Sequence, residues 1–154
     1  MKKLFTILGV IFVAILVIMG IAAAIFIPHA LKLDREATAY IQDAVPKIVT
    51  NWNSQELVDR ATPELLADAG SRDNIDRLFK MFEQLGSFKH LGKPEGTVTS
   101  SAHTGSTVTL GNYKVQAQFE NGAATIGIQL RRVGDSWKIN GFRITSDVFL
   151  PPRA

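Results

Sequence analysis

Cysteine is missing from all 154 residues, so no disulfide can staple the fold and no lipobox thiol can carry a lipid anchor. Histidine is scarce. His29, His90 and His103 stand far apart, with no i, i+3 or i+4 pairing and no carboxylate at ligand spacing, so no metal site is expected. His29 reads as an interfacial residue, and His90 and His103 as strand or loop surface. Neither a nucleophile elbow nor a glycine-rich phosphate loop is present, and no cofactor is expected. An excess of one charge is also lacking once the charges are located. The sequence pI is about 9.3, but two of the 17 basic residues are Lys2 and Lys3, and the other 15 face 14 acids. The rest of the chain is therefore close to neutral, which excludes an electrostatic footprint for nucleic acid. Arg131-Arg132 is its one basic pair and reads as a solvated strand end.

What the chain does have is a long apolar run. Residues 4–27 carry no charge, and Thr6 is their one polar side chain. As a helix this run is about 36 Å long, enough to cross a hydrocarbon core of roughly 30 Å. It exceeds the h-region of a cleaved signal, ~7–15 residues, although Ala22-Ala23-Ala24 offers a small-residue cleavage pattern. A retained anchor is the reading adopted: residues 1–3 a cytoplasmic leader, 4–27 a transmembrane helix, 28–149 a periplasmic domain and 150–154 a flexible tail. Lys2 and Lys3 before the span, against Lys32 and Arg35 interleaved with acids after it, lean toward the N-terminus inside. Gly20-x-x-x-Ala24 is a small-xxx-small pair that chance explains in an Ala-rich stretch.

Beyond the anchor, roughly 120 residues are enough for one domain with a real core. Residues 31–52 place Tyr40, Ile41, Ala44, Val45, Ile48, Val49 and Trp52 at helical spacing, a stripe suited to covering a sheet, with Pro46 expected to kink or divide the helix. Asn53 opens a second helix and Thr62-Pro63-Glu64 a third, which Gly70 stops. Residues 74–85 form the clearest amphipathic helix, with Ile75, Leu78, Phe79, Phe82 and Leu85 on one stripe and Gly86 at its end. From Phe88 the period falls to two. Strands are expected at Val108 and Leu110, from Tyr113 to Phe119, through Ile126, Ile128 and Leu130, and from Trp137 to Ile144. Asn121-Gly122 signals a two-residue hairpin, residues 133–136 turn the chain again, and a slip at Asn140-Gly141 signals a bulge. Residues 92–105 read as strand, loop or both. The fold class expected is α+β: an N-terminal transmembrane helix, then helices packed on an antiparallel sheet.

Helices first and a bulged last strand, Gly134-Asp135-Ser136-Trp137-Lys138-Ile139-Asn140-Gly141-Phe142-Arg143-Ile144, resemble the NTF2-like superfamily of cone-shaped α+β domains. The resemblance implies a curved sheet wrapped round a long helix with a conical pocket. Some members are ketosteroid isomerases or dehydratases, others bind ligands or partners, and single-pass inner-membrane proteins with a periplasmic domain of this kind share the layout. Ligand-pocket candidates are Tyr40, Trp52, Phe79, Phe82, Phe119 and Trp137, most of them expected in the core. Isomerase chemistry would need a carboxylate base in an apolar pocket, for which Tyr40 and Asp43, one helical turn apart, are the nearest match. The leading expectation is a bacterial inner-membrane protein with an extracytoplasmic binding or scaffolding domain, accessory to an envelope complex, its partners the bilayer and another membrane or periplasmic protein. An apolar-ligand carrier and an isomerase-like enzyme are the alternatives.

Overall fold

The computed structural model describes the backbone of residues 2–103 and 105–150, and the side chains of these except 2–10, 23, 25–29 and 103. The chain forms two compact units, Met1–Arg35 and Glu36–Ala154. Helix α1 is Lys2–Val49. In the first unit its side chains from Ile11 to Ile21 are apolar on every face and exposed, from 49% at Ile15 to 66% at Ile18. The expected span at 4–27 falls in part on positions whose side chains lie outside the described residues. Among the described residues, no helix is long and apolar enough to cross a membrane. The expected tail, 150–154, lies outside them except for Leu150.

The second unit is α+β with a five-stranded antiparallel sheet. Ala37, Ile41, Ala44, Val45, Ile48 and Val49 of α1 are all fully buried, the i, i+4 stripe of a helix laid on a sheet. Pro46 does not divide α1. The helix runs through it to Val49, and Thr50 N–H still donates to the Pro46 carbonyl at 2.9 Å. Only the bond to residue 42 is forfeited, and Gln42 lies on the exposed face, where water reaches its carbonyl. The helix closes with Trp52 at φ +47° and Asn53 N–H on the Ile48 carbonyl at 3.2 Å, a left-handed stop that normally takes glycine.

Helix α2 is Ser54–Arg60, capped by Asn53, and α3 is Pro63–Asp68, capped by Thr62. The amphipathic helix expected at 74–85 begins earlier and ends sooner than its stripe implies. Ser71 caps α4, Arg72–Phe82, and the last turn, Glu83–Leu85, tightens to a 3-10 helix. Ile75, Phe79, Phe82 and Leu85 are buried, while Leu78 sits at the stripe's margin and is half exposed.

Strands β1 (Phe88–Leu91) and β2 (Glu95–His103) lie end to end along one edge of β3 (Ser106–Phe119), followed by β4 (Ala123–Val133) and β5 (Ser136–Thr145). Residues 92–105 are thus mostly strand, with a short link before Glu95. The odd residues of β3 from Thr109 to Phe119 are buried, so Val108 and Leu110 fall on the opposite face from Tyr113. Asn121-Gly122 does not make a two-residue turn, since the last register pair is Gln118 with Ala123. Asn121 is diverted: its amide donates to the Gln84 carbonyl at 2.8 Å and its N–H to that of Leu85 at 3.0 Å, pairing orphan carbonyls of the 3-10 turn. A two-residue turn does form at Gly134-Asp135, where Val133 pairs with Ser136 and Gly134 has φ +60°. The bulge lies where the slip places it: Gln129 pairs with Gly141 and Leu130 with Ile139, leaving Asn140 extra.

Candidate functional site

The sheet has two faces. On the inner one, Glu36 of α1 meets Arg132 of β4 at 2.6 Å, and the Trp52 ring stacks on Phe119 of β3 at 5.2 Å. Trp52 also meets Phe82 at 5.9 Å, and Phe82 meets Phe79 and Phe149 at the same distance. The Trp52 Nε1–H donates to the Gly86 carbonyl at 3.3 Å. The space left beside Phe79 and Phe82, walled also by Leu57, Ile75 and Phe142, is only about 80 Å³.

The outer face holds a hollow of about 670 Å³, within the roughly 300–1,000 Å³ of small-molecule sites. Period-two alternation builds its floor. Lys114, Gly127 and Arg143 are register partners across β3, β4 and β5, and Asn112, Gln129 and Gly141 form the next row. With strands about 4.8 Å apart, Lys114 and Arg143 stand roughly 10 Å apart across a bare glycine. Glu95 and Gly96 of β2 close one side, and Leu65 and Asp68 of α3 the other.

Helix α3 is tied to the sheet by its entry. Ala61 bridges to Ile139, Thr62 N–H donates to the Ile139 carbonyl at 2.8 Å, and Glu64 pairs with Arg131 at 2.6 Å. Glu64's own N–H at the start of α3, aided by Arg131, holds its carboxyl below the ordinary value. The buried Thr62 hydroxyl accepts from Leu65 N–H at 3.2 Å and donates to Asn140 Oδ1 at 3.0 Å. The bulge residue Asn140 then donates to Gln129 Oε1 at 2.6 Å, and Gln129 to Asn112 Oδ1 at 2.9 Å. The four side chains form one polarised hydrogen-bond chain, each link strengthening the next. It ends on the Asn112 amide donors, two residues from Lys114 on the same face.

The sequence candidates lie elsewhere. Trp52, Phe79, Phe82 and Phe119 belong to the inner aromatic cluster, and only Phe79 and Phe82 touch its small space. Trp137 is buried under the Arg132 guanidinium, 5.6 Å above its ring, and its Nε1 has no hydrogen-bond partner among the described residues. Tyr40 is half buried. Burial pushes its phenol up, against Arg60, with Asp43 adding to the rise. Asp43 is exposed and paired with Lys47 at 2.6 Å, so no apolar pocket surrounds it. His90 is exposed, and the side chains of His29 and His103 lie outside the described residues. Among the described residues no three His, Cys, Asp or Glu converge as a metal site would require.

None of the six candidates lines the hollow. Its signal in the sequence is different: glycines interrupting two strands, at 127 and 141, beside amides at 112, 129 and 140. A glycine inside a strand marks a bulge or a close approach. The arrangement is equipped to hold a polar ligand. No protein-family model, curated protein or solved structure matches the chain.

Proposed function

We propose that the protein is a single-pass membrane protein whose residues 4–27 cross the bilayer with Lys2 and Lys3 on the cytoplasmic side, carrying an extracytoplasmic binding or scaffolding domain of NTF2-like type. One observation carries this reading. From Ile11 to Ile21 the helix exposes apolar side chains on every face, and the uncharged run continues on both sides of them in the sequence. A helix apolar all round has no face suited to water, and a bilayer satisfies it at no desolvation cost. The NTF2-like assignment draws on helices that precede an antiparallel meander and on the bulged closing strand. Binding is favoured over the alternatives by the interior. About 80 Å³ between helices and sheet leaves little for an apolar cargo, and the exposed Asp43–Lys47 pair lacks the apolar setting that raises a catalytic carboxyl.

The test is fractionation of cells expressing the tagged full chain. It should stay in the membrane pellet after alkaline carbonate, and a C-terminal reporter should be active only outside the cytoplasm. Crosslinking in intact cells should then join it to a reproducible membrane or periplasmic protein. Recovery as a soluble monomer beginning just after Ala24 would overturn the anchored reading.

A further inference from the structure

Gly127 lies in the middle of β4, yet the fold does not require a glycine there. Its backbone is outside the left-handed region, and a Cβ would meet nothing nearer than the Arg143 Cβ and carbonyl at 4.0 Å. Gly96 differs: there a Cβ would lie 2.0 Å from the Asn112 carbonyl. A glycine in a strand weakens it, by entropy and by lost packing. At Gly127 the benefit lies above the backbone, in the hollow. Lys114 and Arg143 flank that bare position, both exposed, and neither has a hydrogen bond or ion pair among the described residues. Glu95, the register partner of Lys114, makes no such pair with it. The hydrogen-bond chain from Thr62 ends on Asn112, which lines the same hollow one row from Gly127 and keeps its amide donors unspent in that chain.

We infer that the hollow binds a small hydroxylated solute through one phosphate or carboxylate group, seated over Gly127 between Lys114 and Arg143 and hydrogen-bonded by Asn112. Two cationic donors, Lys114 of β3 and Arg143 of β5, and the neutral amide of Asn112 border a slot on β4 with no side chain, the geometry an oxyanion needs. Asp68 and Glu95 at the two ends repel further negative charge and accept hydrogen bonds from hydroxyls, which limits the ligand to one anionic group. The inference rests on the outer face of the sheet alone, so its failure would leave the membrane reading intact.

The experiment uses the full chain, labelled with nitrogen-15, in neutral detergent micelles, titrated with glycerol 3-phosphate, glycerate and glycerol. Saturable shifts of the Gly127 and Asn112 signals with either anion, and none with glycerol, are expected. Lys114→Gln and Arg143→Gln should each weaken the response at least tenfold. Gly127→Val should abolish it, read at the Asn112 and Gln129 side-chain amides, while leaving the unfolding midpoint unchanged or higher. In nanodiscs, the same shifts on adding phosphatidylglycerol to phosphatidylcholine would identify a lipid headgroup as the source, and their absence there a free solute. No saturable response to either soluble anion, or equal binding by Gly127→Val, would overturn the proposal.

Discussion

The two faces of one sheet are built from the same strands and solve opposite problems. Toward the helices, Val115, Phe119, Ile126, Leu130 and Ile139 are all but completely buried. Away from them, the alternate positions hold Asn112, Lys114, Gly127, Gln129 and Arg143 around open space. Each strand residue points opposite to its neighbours, so a single chain segment can carry a closed core and an open site at once. The inner face is filled to the point where little fits. The outer one forgoes side chains where filling it would be easy.

If that division holds, the largest effect comes from the inner side. Phe119 is 1% exposed, with Trp52 stacked on it and Phe88 edge-on at 5.8 Å. Phe119→Ala should cost about 3–5 kcal/mol, the range for a buried aromatic reduced to a methyl. It also removes the ring that helps hold Trp52 at its left-handed φ, a costly conformation for so bulky a residue. Urea unfolding of the full chain in micelles measures the loss. A change within about 0.5 kcal/mol, the level of an ordinary surface substitution, would show that the aromatic cluster is not the core.

Thr62 connects the two faces and should come second. Its hydroxyl caps α3 and starts the chain of amides beneath the hollow. Thr62→Ala should cost about 1–2 kcal/mol through the lost cap and an unpaired, partly buried Asn140 oxygen. Thr62→Ser keeps the hydroxyl and should retain most of that stability. Equal losses in the two variants would assign the effect to packing of the methyl instead. The Asn112 side-chain amide signals should move in Thr62→Ala and stay in Thr62→Ser.

The elements were legible where one local rule acted alone. Caps at Asn53 and Thr62, the stop at Gly86 and the bulge at Asn140 each follow from a few adjacent residues. Legibility failed where tertiary demands competed. Asn121 has the chemistry of a tight turn but serves the carbonyls of Gln84 and Leu85, more than thirty residues away. Pro46 leaves α1 undivided, with the one carbonyl it frees, on Gln42, on the exposed side of the helix. The hollow is hard to read from the sequence for a related reason. Aromatic residues attract attention as pocket lining, yet their size is what fills the interior here, and the open space collects around residues with small or absent side chains.

Gly127→Ala offers a third, smaller effect of opposite sign. With ordinary contact distance available for the added methyl, the variant should gain about 0.5–1 kcal/mol by restricting the unfolded chain and favouring extended backbone. A raised urea midpoint with unchanged slope is the expected observation. A destabilised variant would mean that the glycine serves the fold, and the contrast between a filled face and a deliberately bare one would fail at its central residue.

The smallest effect is the acid sensitivity of the outer surface. Hydrogen bonds hold three exposed carboxyls below their ordinary values. Glu64 is held chiefly by its own backbone N–H with Arg131, Asp76 by the Ser54 hydroxyl with Arg72, and Glu120 by Ser87 with Lys89. A carboxyl whose folded pKa lies below its unfolded one stabilises the fold fully above the unfolded value, 4.5 for Glu and 3.8 for Asp. That stabilisation is lost as pH falls through the lower, folded value. The urea midpoint should therefore be flat from pH 7 to about pH 5 and decline below about pH 4.5. Because all three groups face water, salt should shrink the decline. Glu64→Gln should remove one share of it and leave the rest, whereas Phe119→Ala should lower the midpoint equally at every pH. A decline untouched by Glu64→Gln would show that the tie between α3 and Arg131 adds nothing to the wall of the hollow.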